Sequence, residues 1–458
     1  MTQTPLQTPL QSPSTAIASR LPRLAKSSDW NGAIQRFIPY RVQGRVCLLQ
    51  GGIIAVDGLP LAIGAVTRIV RQGHSDLEAE VIGFDKGRTL LAALDSLEGV
   101  RAGDPVELVQ SCRSIKVSEE LCGRVLDATG TPIDHAGSMG TGRRVFCDAP
   151  PVSPLSRKPI RTELPTGVRA IDTLLSIGQG QRVGIFSAAG VGKSTLLGML
   201  ARGTQADYVV IGLIGERGRE VRDFLENDLG AEGQARSITV VATSDQSASR
   251  RILAAKTATA IAESLRDQGK SVLLLMDSLT RFATAQREIG LAAGEAPTTR
   301  GYPTSVFSSL SHLVERAGNS ARGSITAIYT VLVEGDDNNE PISDAVRGFL
   351  DGHIVLSKSL ADGGQYPAID VLRSLSRLQQ QLLDARQIAL ANELRKWLSI
   401  YDEHRELIQI GAYRFGSNPQ IDRAIAIKPN IDAFLAQSLE SIMDSEDSWE
   451  RLRILVGN

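Results

Sequence analysis

Residues 182–203 read RVGIFSAAGVGKSTLLGMLARG: an unbroken apolar run, a glycine-rich turn and an apolar stretch of helix formers in direct succession. The turn, SAAGVGKST over residues 187–195, follows the phosphate-loop pattern G-x-x-x-x-G-K-[ST], except that Ser187 stands where the first glycine belongs. A strand that passes into a helix through such a turn aims backbone N–H groups and the helix N-terminus at one point, where they hold phosphate. Glycine allows close approach and left-handed backbone, and Gly190 and Gly192 retain both properties. Serine at the strand exit need only be small. The candidate cradle is Ser187, Ala188, Ala189, Gly190, Val191, Gly192, Lys193, Ser194 and Thr195. Lys193 supplies a point charge to the β- and γ-phosphates of ATP, and the Ser194 hydroxyl is a ligand to Mg2+. The competing reading is a strand–helix turn that holds no ligand.

Four more apolar runs lie downstream: DYVVIGLIG, SITVVATS, SVLLLMD and SITAIYTVLV. Unbroken runs, unlike alternating ones, belong to strands buried on both faces. Helical stretches such as SASRRILAAKTATAIAESLRDQGK separate them. Residues 111–380 therefore read as an α/β domain, a mostly parallel sheet covered by helices. Upstream, residues 39–110 carry short β-branched or alternating segments (RVCLL, GIIAV, LEAEVIGF) between Gly- and Asp-containing turns, the pattern of a small N-terminal β-barrel. Downstream, residues 381–458 turn helical. Leu390, Leu394, Trp397 and Leu398 share one helix face, and Ile431, Leu435, Leu439 and Ile442 repeat that spacing. Residues 1–38 hold a TPLQ tandem and then Arg20, Arg23, Lys26 and Arg36 against the single acid Asp29. They read as a solvated, poorly ordered arm or as a docking helix for a partner protein or lipid headgroups.

The chain has 458 residues, too many for one ordinary core, so two or three domains are expected. Fifty basic residues balance 51 acidic ones, giving no global attraction to nucleic acid. The four cysteines form no C-x-x-C pair, so neither a zinc site nor a redox couple is indicated. No charged-then-apolar leader is evident, and no apolar run reaches the ~18 residues of a membrane span. A cytoplasmic protein is expected.

Two acids close apolar runs. Asp277 ends SVLLLMD, where a carboxylate meets the crevice that α/β sheets use for ligands, and it suits the second magnesium anchor. Its alternative is an N-cap for SLTRFATAQ. Glu216 ends VVIGLIGE and is the candidate to polarise the attacking water. Arg217, Arg219 and Glu220 crowd it, so a structural ion-pair network is the competing account.

GQGQRVGIFSAAGVGKST, GERGREVRDF, LLLMDSLTRFATAQREIGLAAGE, TRGYPTSVF, GSITAIYTVLVEGDD and QYPAIDVLRSLSR occur in one order along the chain. Together they resemble the export ATPases of flagellar and type III secretion systems, relatives of the catalytic subunit of rotary F-type ATP synthases. The resemblance runs from about residue 40 to 425. It implies a β-barrel, a RecA-like ATPase core and C-terminal helices, assembled as a homohexamer with nucleotide between subunits. It further implies that Arg377, in SLSRL, acts in trans on the neighbour's γ-phosphate, with a rate effect of roughly 10³–10⁵. Glu216 falls on the family's catalytic carboxylate and Arg217 on an arginine beside the phosphates. Tyr366 falls where a ring stacks on adenine, although a packed tyrosine beside Pro367 also accounts for it. The implied partners are further copies of this chain, a regulator or stator protein at the arm 1–38, a stalk protein, an export gate and substrate–chaperone complexes. Peripheral contact with the inner membrane is implied as well.

The leading expectation is thus an ATP hydrolase that releases chaperones from exported proteins and unfolds them. SLTRFATAQREIGLAAGE and LIQIGAYRFGSNPQIDRAI favour the flagellar branch over the injectisome branch. A hexameric RNA translocase shares the core, but residues 39–110 offer only Phe84 and Tyr40 for base stacking and no Trp. An F- or V-type synthase subunit is disfavoured because LANELRKWLSIYDEH lacks the acidic lever sequence. A ring member that binds nucleotide without hydrolysis is disfavoured by Glu216.

Overall fold

The alternation in residues 43–110 closes on itself. In the computed structural model, which describes residues 42–137, 140–333 and 340–457, six antiparallel strands form a barrel. They are β1 (Gln43–Gln50), β2 (Ile53–Asp57), β3 (Val66–Ile69), β4 (Leu77–Asp85), β5 (Arg88–Ala93) and β6 (Pro105–Gln110). The spatial order is β1-β2-β5-β4-β3-β6, and β6 returns to β1 through the pair Gln43 and Glu107. In β4, Leu77, Ala79 and Val81 point inward, while Glu78 and Glu80 are only partly covered. Ile54, Val56, Val66, Ile69, Leu91 and Val106 complete an aliphatic filling of the kind a small barrel requires. The arm 1–38 and both of its readings lie outside the described residues.

A two-stranded ribbon, β7 (Ser114–Val117) with β9 (Arg143–Phe146), leads into the second domain, and β8 (Val125–Asp127) between them joins the main sheet. That sheet contains the five strands expected from the apolar runs. They are β10 (Arg182–Ser187), β11 (Tyr208–Glu216), β12 (Ser237–Thr243), β13 (Ser271–Asp277) and, after the short β14 (Gly318–Asn319), β15 (Ser324–Leu332). β16 (Gly352–Leu356) and β17 (Ile369–Ser376) extend it to the order β17-β16-β10-β15-β13-β11-β12-β8. Pairing is parallel from β16 to β8, and β17 is antiparallel at the edge. Every residue of β13 after Ser271 is buried, as unbroken apolar runs require of a sheet covered on both faces.

One face packs against the helices Ala248–Asp267, Leu279–Ala292 and Thr304–Glu315. The other receives the helix Lys193–Gly203 together with the C-terminal helices Ala385–Gln409, Pro419–Leu435 and Ser445–Gly457. Leu394, Trp397 and Leu398 are buried there, and Leu390 is half-buried against them. The second helical repeat needs correction. Ile431 and Leu435 are buried, but the helix ends at Leu435, and Leu439 and Ile442 are exposed. After Ala436 the chain leaves the helix, because the Gln437 and Met443 N–H groups and the Gln437 side chain bond to Tyr366 and Gly167 of the sheet domain instead of to the preceding turn. Cys147 is buried, Cys47, Cys112 and Cys122 are half-buried, and all four are free thiols. Among the described residues, no helix is long and apolar enough to cross a membrane.

Candidate active site

β10 delivers the glycine-rich turn to the C-terminal edge of the sheet. Gly192, at φ 87°, is the N-cap of the helix Lys193–Gly203 and brings no side chain to that cap. The first N–H groups of an eleven-residue helix are thus left for a ligand, which favours an anion. Gly190 is also left-handed, at φ 77°, and a Cβ there would meet nothing within 4 Å. Ala189 and Gly190 are exposed, Ala188, Gly192, Ser194 and Thr195 are half-buried, and Val191 is packed into the core. Ser187 is the last residue of β10, 2% exposed, so the site where a glycine was expected holds a small buried side chain and does not obstruct the cradle.

Lys193, Glu216 and Asp277 come together. The Lys193 ammonium donates to Asp277 Oδ1 at 2.6 Å and to Glu216 Oε1 at 3.3 Å. The ladder sets Asp277 beside Leu213 of β11, and a bulge between Ile214 and Glu216 then turns the glutamate toward the lysine. Gly215 makes that bulge at φ 72°, where a Cβ would lie 2.9 Å from the Arg281 Cβ. Thr330 of β15 donates its hydroxyl to Asp277 Oδ1 at 2.6 Å from the other side. Asp277 is therefore not a helix cap. Ser278 caps the next helix, accepting from the Arg281 N–H at 3.3 Å.

The electrostatics follow from burial. Burial raises the Glu216 pKa to about 7, and the Asp277 charge pushes the same way, while Lys193 only partly offsets them. Burial alone would lower Lys193, but the two carboxylates outweigh it and raise its pKa. Glu216 also hydrogen-bonds Glu220, and that bond, ahead of the Arg217 charge, holds Glu220 below the usual carboxylate range. The nearby arginines pair along their own helix: Arg217 with Glu220 at 3.3 Å, Arg219 with Asp223 at 3.4 Å and Arg222 with Glu226 at 2.7 Å. Glu216 bonds the phosphate-loop lysine directly and meets that arginine ladder only through Glu220.

The remaining predicted residues divide. Tyr366 lies at the loop, its ring edge 3.2 Å from where a Gly192 Cβ would sit, and 37% of it stays exposed. Arg217 is exposed at the N-cap of the helix Gly218–Asp223 and outside the lysine cluster. Arg377 is not at this site at all. It follows β17, whose end pairs with the start of β16, and its N–H bonds to Asp351 O. The start of β10 adjoins the same place, so the length of β10, roughly 17 Å at strand rise, separates Arg377 from its own phosphate loop. Sequence reasoning missed two supporting groups, Thr330 on Asp277 and Asp228, which Thr195 hydrogen-bonds, and named Glu220 only as a member of an ion-pair network and not as a partner of Glu216. The only signal for Thr330 was a hydroxyl inside an otherwise apolar run.

The nucleotide-binding domain of the ATP synthase alpha/beta family matches residues 167–376, and the C-terminal domain of the type III secretion ATPase EscN matches residues 383–454. The flagellum-specific ATP synthase of Bacillus subtilis is 48% identical over 421 residues, covering 92% of this chain and 96% of that one. The type 3 secretion system ATPase of Xanthomonas euvesicatoria is 48% identical over 413 residues, covering 90% and 93%. Among solved structures, the assembled ATPase EscN in complex with its central stalk EscO, from the enteropathogenic E. coli type III secretion system, aligns with a TM-score of 0.83. It is 42% identical and covers 90% of this chain and 100% of that one. A six-stranded barrel, a parallel nucleotide-binding sheet and C-terminal helices, together with this similarity over nine-tenths of its length, show that the chain belongs to the ATPases of the flagellum and the type III secretion system.

Proposed function

We propose that this chain hydrolyses ATP at sites shared between neighbouring copies in a homohexameric ring and uses the energy to move proteins through an export gate. The observation that carries this reading is the separation of Arg377 from Lys193, Glu216 and Asp277. The three groups sit at one end of the sheet, and the arginine leaves from the other. A finger in that position serves a neighbour's site. Its charge stabilises the γ-phosphate as the bond to the leaving oxygen breaks.

Within one copy, the backbone from Ser187 to Thr195 cradles the phosphates and Lys193 leaves its carboxylate partners to meet them. Glu216 orients the attacking water and takes up its proton, for which a pKa near neutrality is well placed. Arg217 reaches the phosphates from the loop edge, and Tyr366 stacks on the base. The donor set fits Mg2+, because the Asp277 carboxylate, bonded to Lys193, and the hydroxyl of the adjacent Ser194 are hard oxygen ligands. Bound there with the nucleotide, the cation neutralises charge on the phosphates.

The division of labour follows residues 1–38 as the docking arm, 39–110 as the N-terminal barrel, 111–380 as the motor and 381–458 as the helical domain. The arm engages a regulator or stator protein and the inner-membrane surface, and the helical domain engages a stalk protein. The ring receives substrate–chaperone complexes, releases the chaperone and begins unfolding at the membrane. The solved relative was captured with a central stalk, which supports the stalk assignment. Equal identity to a flagellar and a secretion relative leaves the branch to the motifs, and SLTRFATAQREIGLAAGE favours the flagellum. A chromosomal Lys193→Ala substitution tests this. Motility should be lost with effector secretion intact, and the reverse pattern would assign the injectisome.

A further inference from the structure

Where the helix Pro419–Leu435 ends, the chain runs on as a non-helical strap, residues 436–443, with a turn at Leu439 and Glu440, before the last helix begins. Gln437 is the anchor of that strap. It is 6% exposed, and its amide makes three hydrogen bonds, one accepted and two donated. Its Oε1 accepts the Arg169 N–H at 2.9 Å, and its Nε2 donates to Gly167 O and Ser441 O, both at 2.8 Å. The amide can face only one way, since a reversed amide would set donor against donor and acceptor against two carbonyls. With the side chain fixed, the Gln437 backbone N–H donates to Tyr366 O at 2.9 Å.

The strap also holds the far end of the phosphate-loop helix. Arg202, in its last turn, donates to Leu439 O at 2.6 Å. Gly167, bonded by Gln437 and by the Met443 N–H at 3.0 Å, lies against Gly203, with 3.2 Å from its Cβ position to the Gly203 Cα. One segment of the C-terminal domain thus grips the helix Lys193–Gly203 at both ends. It reaches the first end through Tyr366, whose ring rests on Gly192, and the second through Arg202 and Gly203.

We infer that Gln437 is a positioning residue for the nucleotide base: it fixes the backbone of Tyr366 and so makes the C-terminal helical domain part of the base-binding wall. The inference rests on the assignment of Tyr366 to base stacking. It predicts an effect on ligands that carry a base and none on ligands that consist of phosphate alone.

The test compares inhibition of the full-length enzyme by ADP and by pyrophosphate, each competing with ATP. Tyr366→Ala should raise the ADP inhibition constant about tenfold, in line with the loss of one aromatic–base stack. Gln437→Met, of similar volume but unable to anchor, should raise it about fivefold, with pyrophosphate unchanged. Added to Tyr366→Ala, it should cost less than a further twofold, because both act through one ring. Arg202→Met, a partly exposed change that leaves the Gln437 bonds in place, should raise the ADP constant about twofold and also spare pyrophosphate. The inference fails if Gln437→Met weakens ADP and pyrophosphate equally, or if it adds fully to Tyr366→Ala. It fails alone if Tyr366→Ala acts as stated and neither Gln437→Met nor Arg202→Met touches ADP. If Tyr366→Ala leaves ADP unaffected, the stacking assignment falls and the inference falls with it.

Discussion

Glu216→Gln should make the nucleotide-free protein more stable, and only at the basic end of its pH range. Glutamine has the shape of the protonated acid and keeps the Lys193 to Asp277 bond of 2.6 Å intact. What it removes is a carboxylate whose pKa is raised from 4.5 to about 7 by burial and by the Asp277 charge. A raised acid holds its proton more tightly in the folded state than in the unfolded state. Folding is therefore progressively disfavoured as pH rises from 4.5 through about 7, and the cost levels off above that window. At about 1.36 kcal/mol per unit, the penalty carried by wild type grows by roughly 2–3 kcal/mol between pH 5 and pH 8. The assay is thermal unfolding of both proteins without nucleotide at those two pH values. At pH 5 the midpoints should nearly coincide, and at pH 8 the Gln variant should melt a few degrees higher. The same substitution should cost about 10²–10⁴ in kcat and abolish an acid limb near neutrality in the kcat/KM profile. A stability difference of equal size at both pH values would contradict the buried, proton-holding state assigned to Glu216.

Two further outcomes test the surroundings of the site. Thr330→Val removes the hydroxyl that Asp277 accepts at 2.6 Å, and the Mg2+ concentration for half-maximal hydrolysis should rise about tenfold; an unchanged Mg2+ titration would detach Thr330 from the magnesium anchor. Gly192→Ala puts a Cβ at φ 87° and 3.2 Å from the Tyr366 ring, so ATP binding should weaken about tenfold or more. Direct titration with a fluorescent nucleotide analogue reads that loss, and wild-type affinity would show that the turn tolerates the side chain.

The strands of the ATPase core were legible because burial on both faces demands unbroken apolar runs, and β10, β11, β12, β13 and β15 coincide with five of them. Glu216 and Asp277 were legible for the same reason, as charges where such runs stop. β8 was not: three residues, Val125 to Asp127, are too few for a periodic signal, and only the partner strand β12 defines them. Thr330 was hidden because a threonine inside SITAIYTVLV has the same β-branched shape as its neighbours. The overextended helix through Leu439 and Ile442 has a different cause. Helical spacing continues past Leu435, but the backbone partners that draw residues 436–443 away lie on Tyr366 and Gly167, far off in sequence. Arg377 carried no local signal and entered only through resemblance, since it ends no apolar run and lies at the opposite end of the sheet from Lys193.

The central claim, a site completed by the neighbouring copy, is tested most directly by mixing Arg377→Ala subunits with Glu216→Gln subunits. Each alone should be nearly inactive. In randomly mixed rings about a quarter of sites would pair an intact Glu216 with an intact Arg377, so activity should return toward a quarter of wild type. A mixture no more active than its two components, or an Arg377→Ala protein that hydrolyses ATP at the wild-type rate, would contradict it.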